Sequence, residues 1–187
     1  MTLSLKLPLL GMALLLAACR SDPIHYHTLI PPQDAGTIPG TSSQIQFEAL
    51  TVPPQVDRPQ MVVRQGNSGL AILETEWWGA SLMDEMQNAL VDQLANASLS
   101  RRYSLRVDVQ RFDSIPGQYG LIDATWRLRP LEPGNPALFK TCRSVLQTPS
   151  GASLDELVTA QQNNVKRLAA AIVQGANIAG NACPANR

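Results

Sequence analysis

The two histidines, His25 and His27, are the side chains of this 187-residue sequence best suited to acid–base chemistry near neutral pH. Residues two positions apart in a strand face the same side, so the pair could bind a metal or serve as base to a nucleophile. No Gly-x-Ser-x-Gly, His-Glu-x-x-His or Cys-x-x-Cys motif accompanies them. We therefore predict no catalytic residues, no metal site and a protein that is not an enzyme.

Other chemistry-bearing patterns also favour structural roles. The acidic pairs Asp84-Glu85 and Asp155-Glu156 fall in the first turns of predicted helices, where negative charge complements the helix dipole, and capping explains them better than glycosidase chemistry. The turn at residues 66–69 lacks the spacing and the Lys-Ser or Lys-Thr of a phosphate-binding loop. Fifteen basic and fifteen acidic residues give no cationic excess, so nucleic acid is not an expected partner.

The first cysteine ends an apolar segment. Residues 7–18 follow Lys6 and are too short a run to span a bilayer, but they suit a signal peptide. Leu16-Ala17-Ala18-Cys19 resembles the bacterial lipobox, which implies diacylglycerol and an N-acyl chain on Cys19 and no other cofactor. We expect a signal peptide over 1–18, a lipidated N-terminus and tether over 19–24, and a folded domain over 25–187. Arg20, where an Asp would favour inner-membrane retention, points to the outer membrane.

The other two cysteines are a candidate disulfide. Cys142 lies in the last predicted strand and Cys183 just beyond the last predicted helix. In an oxidising compartment two such thiols more often pair than stay free. A bond would hold the C-terminal segment against the sheet, whereas the alternative is two unrelated buried thiols.

Hydrophobic periodicity predicts the elements that must position these residues. Strand-like patterns occupy residues 25–30, 45–52, 61–64, 70–74, 103–112, 121–129 and 137–147. Residues 33–43 read as a surface loop, the turn at 66–69 predicts a hairpin, and short connections between the last three strands predict an antiparallel meander.

Two segments have helical periodicity. Residues 80–96 carry one apolar stripe, and a second helix is predicted from about Leu154 to about Ile178, with Ser153 and Glu156 forming a capping box. This order predicts a single α/β domain of the α+β type, in which two main helices pack on a mixed or largely antiparallel sheet.

Trp77 and Trp78 stand where a predicted strand gives way to a helix. Neighbouring strand residues point to opposite faces, so both indoles cannot enter one core. We expect one to anchor the helix, while the other could contact a partner or lipid. The alternative is that both pack under loops.

A family resemblance covers nearly the whole mature chain. It is carried by Pro-x-x-x-Asp-Arg-Pro-Gln-x-Val at residues 53–62, and by Trp77-Trp78-Gly79 before an amphipathic helix. Weaker agreement comes from Tyr26-His27-Thr28-Leu29, residues 107–112 and residues 125–128. These segments resemble the ABC-type transport auxiliary lipoprotein family, the PqiC/YmbA-like outer-membrane lipoproteins.

The resemblance implies a non-enzymatic part of a system that moves lipids or other hydrophobic compounds between the inner and outer membranes. Its expected partner is a periplasmic MCE-domain protein, its expected place the periplasmic face of the outer membrane, and a homo-oligomer is left open. Asp57 and Arg58 could face a partner, or could belong to a rigid turn in which Asp57 bonds its own backbone.

Two other functions remain open. One is a structural or regulatory lipoprotein that binds an envelope synthase or secretion channel. The other is a lipid-modifying hydrolase, which would have to use His25 or His27.

Overall fold

The computed structural model describes residues 22–32, 44–95, 97–99, 101–132 and 139–185. The predicted signal peptide, Cys19 and the predicted loop at 33–43 lie outside these ranges. Within them, no helix combines the length and hydropathy needed to span a bilayer.

The strands of the described chain form two mixed sheets. Their bounds are β1 His25–His27, β2 Ile45–Thr51, β3 Gln60–Gln65, β4 Gly69–Trp78, β5 Tyr103–Ile115, β6 Tyr119–Pro130 and β7 Lys140–Pro149. One sheet has the order β1-β4-β3, with β1 parallel and β3 antiparallel to β4. The other has the order β2-β5-β6-β7, with β2 parallel to β5 and the rest an antiparallel meander. The predicted α+β class is therefore confirmed, while the division into two sheets was not predicted.

Two helices complete the fold. Helix α1 spans Leu82–Leu94 and helix α2 spans Leu154–Asn177. Helix α2 packs on β6 and β7 and against α1. Its predicted capping box is present, since Ser153 accepts from the Glu156 N–H while the Glu156 side chain accepts from the Ser153 N–H. This start was predictable because all of its determinants lie within four consecutive residues.

Trp126 of β6 marks the centre of the core. Its side chain has no exposed surface, and its indole N–H donates to Ser144 Oγ over 3.0 Å. Gly175 of α2 lies directly above the ring, because a Cβ at that position would come within 2.4 Å of Trp126 Cη2. The helix can approach the sheet this closely only because residue 175 has no side chain.

Buried side-chain amides of α2 donate hydrogen bonds to β5 and β6 on either side of the turn that joins these strands. Gln161 Nε2 donates to Asp113 O over 2.9 Å, and Asn164 Nδ2 donates to Gly120 O over the same distance. The turn itself passes through Gly117, whose φ of +74° favours glycine. Because these buried amide groups are hydrogen-bonded, their burial does not leave donors unpaired.

The two sheets are joined by charge as well as by packing. Arg64 of β3 donates to the buried carboxylate of Asp113 on β5 over 2.9 Å. On the four-stranded sheet, Arg143 donates to Asp123 over 2.6 and 2.8 Å and holds the pKa of that carboxyl below its usual value. Such bidentate pairs are among the stronger hydrogen bonds in proteins.

The C-terminal end of α2 is attached to β7. Lys140 donates from Nζ to the carbonyl oxygens of Gly175 and Ile178, and its burial lowers its pKa. In the structure Cys142 and Cys183 form a disulfide, with Cα atoms 5.6 Å apart. These are the two cysteines that remain in the sequence when Cys19 is set aside as the predicted lipidation site.

Several predicted strand boundaries were wrong. The first strand ends at His27 rather than residue 30, because its pairing with β4 stops where His27 lies opposite Trp78. Strand β4 continues to Trp78, so the two tryptophans lie within the strand and not after it. The last strand, Lys140–Pro149, continues past its predicted end at residue 147, while its predicted start at residue 137 lies outside the described residues.

Candidate functional site

Several residues singled out in the sequence converge at one end of the three-stranded sheet. Tyr26 of β1 lies opposite Trp77 of β4, and Gln60 of β3 lies opposite Trp77 on the other side. The Trp78 N–H donates to Pro59 O over 2.6 Å. We call this region, residues 24–29, 57–60 and 74–85, the tether end, because it includes the first strand after the predicted tether.

The two tryptophans have opposite environments. Trp78 is 2% exposed and packs edge to face on Phe112, with ring centroids 6.3 Å apart. Trp77 is partly exposed, and its ring meets Tyr26 edge to face at 6.4 Å. A buried indole offers no surface to a partner, so Trp78 is a core residue and only Trp77 remains a candidate for contact.

Trp77 belongs to an exposed patch. Tyr26 is 66% exposed, and Ile24, two residues earlier, is 41% exposed. The Trp77 indole N–H donates to Glu74 O over 2.9 Å, so its donor is already satisfied. We call the two aromatic residues Tyr26 and Trp77, together with the aliphatic Ile24, the aromatic patch.

The histidines share one acceptor on the other side of β1. His25 Nδ1 lies 3.0 Å from Glu76 Oε1, and His27 Nε2 lies 2.7 Å from Glu76 Oε2. The hydrogen bonds from His27 and then His25 lower the pKa of Glu76. Asp155, at the start of α2, lies 3.8 Å from His27 Nδ1. The cluster therefore links β1, β4 and the beginning of α2.

The side chains of this cluster bond to one another across three elements. Tyr26 and Ser153 are the hydroxyl-bearing residues that line the same open depression. The Ser153 hydroxyl donates to Glu156 Oε2 over 2.7 Å within the capping box. It is thus engaged by its own helix. Across the described ranges, no group of three or more His, Cys, Asp or Glu side chains could hold a metal ion.

Glu85 is a site residue that sequence reasoning missed. We predicted it as a first-turn residue whose charge complements the helix dipole, but it is buried, and its Oε2 accepts from Thr28 Oγ1 and from the Leu29 N–H, both over 2.9 Å. Gly79 leaves room for the carboxylate, since a Cβ there would come within 2.8 Å of Glu85 Oε1. The available signal was its position beside Met86 on the apolar stripe of α1, where a charge requires a partner.

Asp57 and Arg58 lie at the start of α1. Asp57 Oδ1 accepts from the Met83 N–H over 3.2 Å, so the carboxylate bonds the first turn of the helix rather than its own backbone. The turn is closed instead by main-chain bonds, from Val56 N–H to Pro53 O and from Arg58 N–H to Val56 O. Arg58 Nε is buried without a hydrogen-bond acceptor among the described residues.

Comparison with known proteins gives a family and a fold. A family model described as "ABC-type transport auxiliary lipoprotein component" matches residues 27–173. The crystal structure of an uncharacterized protein is similar with a TM-score of 0.62, at 17% identity, covering 82% of this chain and 98% of that one. A Xanthomonas campestris protein described by the family model DUF330 is similar with a TM-score of 0.56, at 19% identity, covering 81% and 93%. Among curated proteins no sequence matches the chain.

Proposed function

The chain belongs to the ABC-type transport auxiliary lipoprotein family, and we propose that it docks the periplasmic MCE-domain assembly of an ABC transport system to the outer membrane. The system would move lipids or other hydrophobic compounds between the two membranes. The observation that carries this proposal is the family match over residues 27–173, which includes both sheets and most of α2.

The proposed anchor is the lipid on Cys19. The lipobox-like Leu16-Ala17-Ala18-Cys19 supplies the modification site, and each buried CH₂ of an acyl chain contributes about 0.8 kcal/mol to membrane binding. Several chains on one residue therefore suffice for stable attachment. Arg20 after the cysteine supports the outer membrane as the destination, with the folded domain on its periplasmic face.

The contacts of the histidines support a docking role over catalysis. Both imidazoles bond Glu76, and the neighbouring Ser153 hydroxyl is part of a helix cap. A hydrolase would need a nucleophile within hydrogen-bond reach of one of these imidazoles. We assign the cluster to holding β1 in place.

The proposed partner surface lies where the family motif reaches the start of α1. Asp57 is exposed there, and Arg58 is partly exposed beside it. Asp57 also accepts from the first turn of α1, so a substitution at Arg58 keeps this helix contact, whereas one at Asp57 removes it. We expect Arg58→Ala to weaken recruitment of the MCE-domain protein and Arg101→Ala, at an exposed arginine outside the motif, to leave it unchanged.

Liposome flotation tests anchoring and docking together. The lipidated full-length protein is reconstituted into liposomes, and a purified MCE-domain protein of the same organism is added. We expect the MCE-domain protein to float with wild-type liposomes and to stay in the soluble fraction with Cys19→Ala, which cannot be lipidated. If the wild-type protein floats with the liposomes but the MCE-domain protein does not, docking is rejected. Palmitate labelling of Cys19→Ala would reject the anchor.

A further inference from the structure

We propose that the aromatic patch of Ile24, Tyr26 and Trp77 lies against the headgroup region of the bilayer that holds Cys19. The occupant of this surface is thus a membrane and not a protein. The inference rests on the proposed lipidation of Cys19 and goes beyond it, because it fixes which side of the domain faces the membrane.

The side chains of the patch suit the boundary between water and lipid. Tyr and Trp concentrate at membrane interfaces because each joins an apolar ring to one polar group. Trp77 has its indole N–H bonded to Glu74 O and presents the rest of its ring. The Tyr26 hydroxyl makes no hydrogen bond within the described chain, and its exposure leaves it available to water or a phosphate ester.

The position of the patch in the chain restricts its distance from the bilayer. Ile24 lies five positions after Cys19. At full extension these five Cα-to-Cα steps span about 18 Å, which is little more than half of the roughly 30 Å thickness of the hydrocarbon core. Whatever the path of the tether, β1 must stay close to the membrane surface.

The two sides of β1 differ in what their side chains contact. His25 and His27 bond to Glu76, and His27 also lies near Asp155, although the His25 side chain is 62% exposed. Tyr26 alternates with the histidines along the strand, and its ring meets Trp77 instead. The patch therefore lies on the side of β1 that packs an aromatic ring, and the ion pairs of the strand lie on the other.

The charges around the patch favour contact with a membrane surface that has no net charge. Its three side chains are uncharged, and the exposed carboxylates of Asp22 and Glu74 lie two positions before Ile24 and three before Trp77. Attraction to anionic lipid would require an excess of basic residues, whereas Arg20 of the tether is offset by these two carboxylates. We therefore expect contact with zwitterionic headgroups, with little dependence on salt concentration.

Tryptophan fluorescence provides the test, because Trp78 and Trp126 are buried and serve as internal controls. The lipidated full-length protein is reconstituted into phosphatidylcholine liposomes that carry a quencher near the headgroups. We expect the quencher to reduce the fluorescence of the wild-type protein. In Trp77→Phe this reduction should be absent, because the emission of Trp78 and Trp126 stays unquenched. A protein that floats with the liposomes but shows no Trp77 quenching would overturn the inference and leave the patch to another occupant, such as a partner protein. A protein that does not float would overturn the proposed anchor, and the inference with it.

A second variant tests the rest of the patch. Ile24→Ser combined with Tyr26→Ser should lose most of the Trp77 quenching while keeping the fold, since both side chains are exposed. The matched control is Val145→Ser, another exposed apolar position, on β7. Equal quenching in the double variant and the control would also overturn the inference.

Discussion

Glu76 is the residue that holds the first strand to the rest of the domain by charge. Its two carboxylate oxygens accept from His25 and His27, and its side chain is 17% exposed. Strand β1 has only three residues and pairs with one neighbour, so few main-chain bonds hold it. The side-chain contacts therefore contribute a large share of its attachment.

We expect Glu76→Gln to destabilise the protein by about 1 kcal/mol at neutral pH, because a charge-assisted contact is lost. The pKa of Glu76 is lowered below its usual 4.5 by the histidine hydrogen bonds. Its contribution is therefore present above pH 4.5 and disappears as the pH falls through the lowered pKa. Urea unfolding at several pH values should show the two proteins converging in acid.

Glu74→Gln is the control for this measurement. Glu74 lies two residues earlier on β4, with an exposed side chain. Its substitution should change the free energy of unfolding by less than about 0.5 kcal/mol at any pH. A gap between wild type and Glu76→Gln that stayed constant from neutral to acid pH would contradict the assigned role of the carboxylate.

A second residue prediction concerns Glu85. Replacing it with Leu leaves the Thr28 hydroxyl and the buried Leu29 N–H without their acceptor, which should cost about 2 to 3 kcal/mol. Glu85→Gln keeps an acceptor oxygen and should cost less. Hydrogen exchange at the Leu29 amide reports the contact directly, and unchanged protection in Glu85→Leu would show that the carboxylate does not hold this segment.

At the scale of the element, local patterns predicted the helices and the meander well. The capping box, the apolar stripes and the glycine turns each depend on residues close in sequence. The pairing of β1 with β4 joins positions 51 residues apart, His25 with Glu76, and so does not show in any local pattern. For the same reason the acceptor role of Glu85 was missed, because its donors lie 56 and 57 residues away.

The closeness of α2 to β6 gives a prediction at this scale. Gly175→Ala should gain up to about 1 kcal/mol of helix propensity, but the added methyl group would meet the buried Trp126 ring. Overpacking of a core site commonly costs about 1 to 3 kcal/mol, so we expect a net loss of stability. Thermal unfolding measures it, with the exposed neighbour Gln174→Ala as control. A Gly175→Ala protein more stable than wild type would contradict this packing.

The disulfide between Cys142 and Cys183 gives a second prediction at the scale of the element. Alkylation and mass spectrometry of the mature protein should find Cys142 and Cys183 protected without reductant and both alkylated after reduction. With a sequence separation of 41 between the cysteines, the chain-entropy model gives about 4 kcal/mol as the stabilisation lost in Cys183→Ser. Two alkylatable thiols in the unreduced protein would rule out the bond.

At the scale of the whole molecule, the first strand, the family motif and the patch lie near one another. Strand β1 follows the tether, the motif at 57–60 lies beside Trp77 and Trp78, and α1 starts next to both. The family resemblance singled out residues 53–62, Tyr26 and Trp77. It could not show that they adjoin, because β1, β3 and β4 come together only in the folded sheet.

The most direct test of the central claim is recovery of the native partner. The lipidated chain, tagged at its C-terminus, is purified from detergent-solubilised envelopes after mild cross-linking, with Cys19→Ala as the matched control. We predict that wild type recovers an MCE-domain protein and sediments with the outer membrane, and that Cys19→Ala does not remain with that membrane. Recovery of an envelope synthase or a secretion channel, with no MCE-domain protein, would contradict the account.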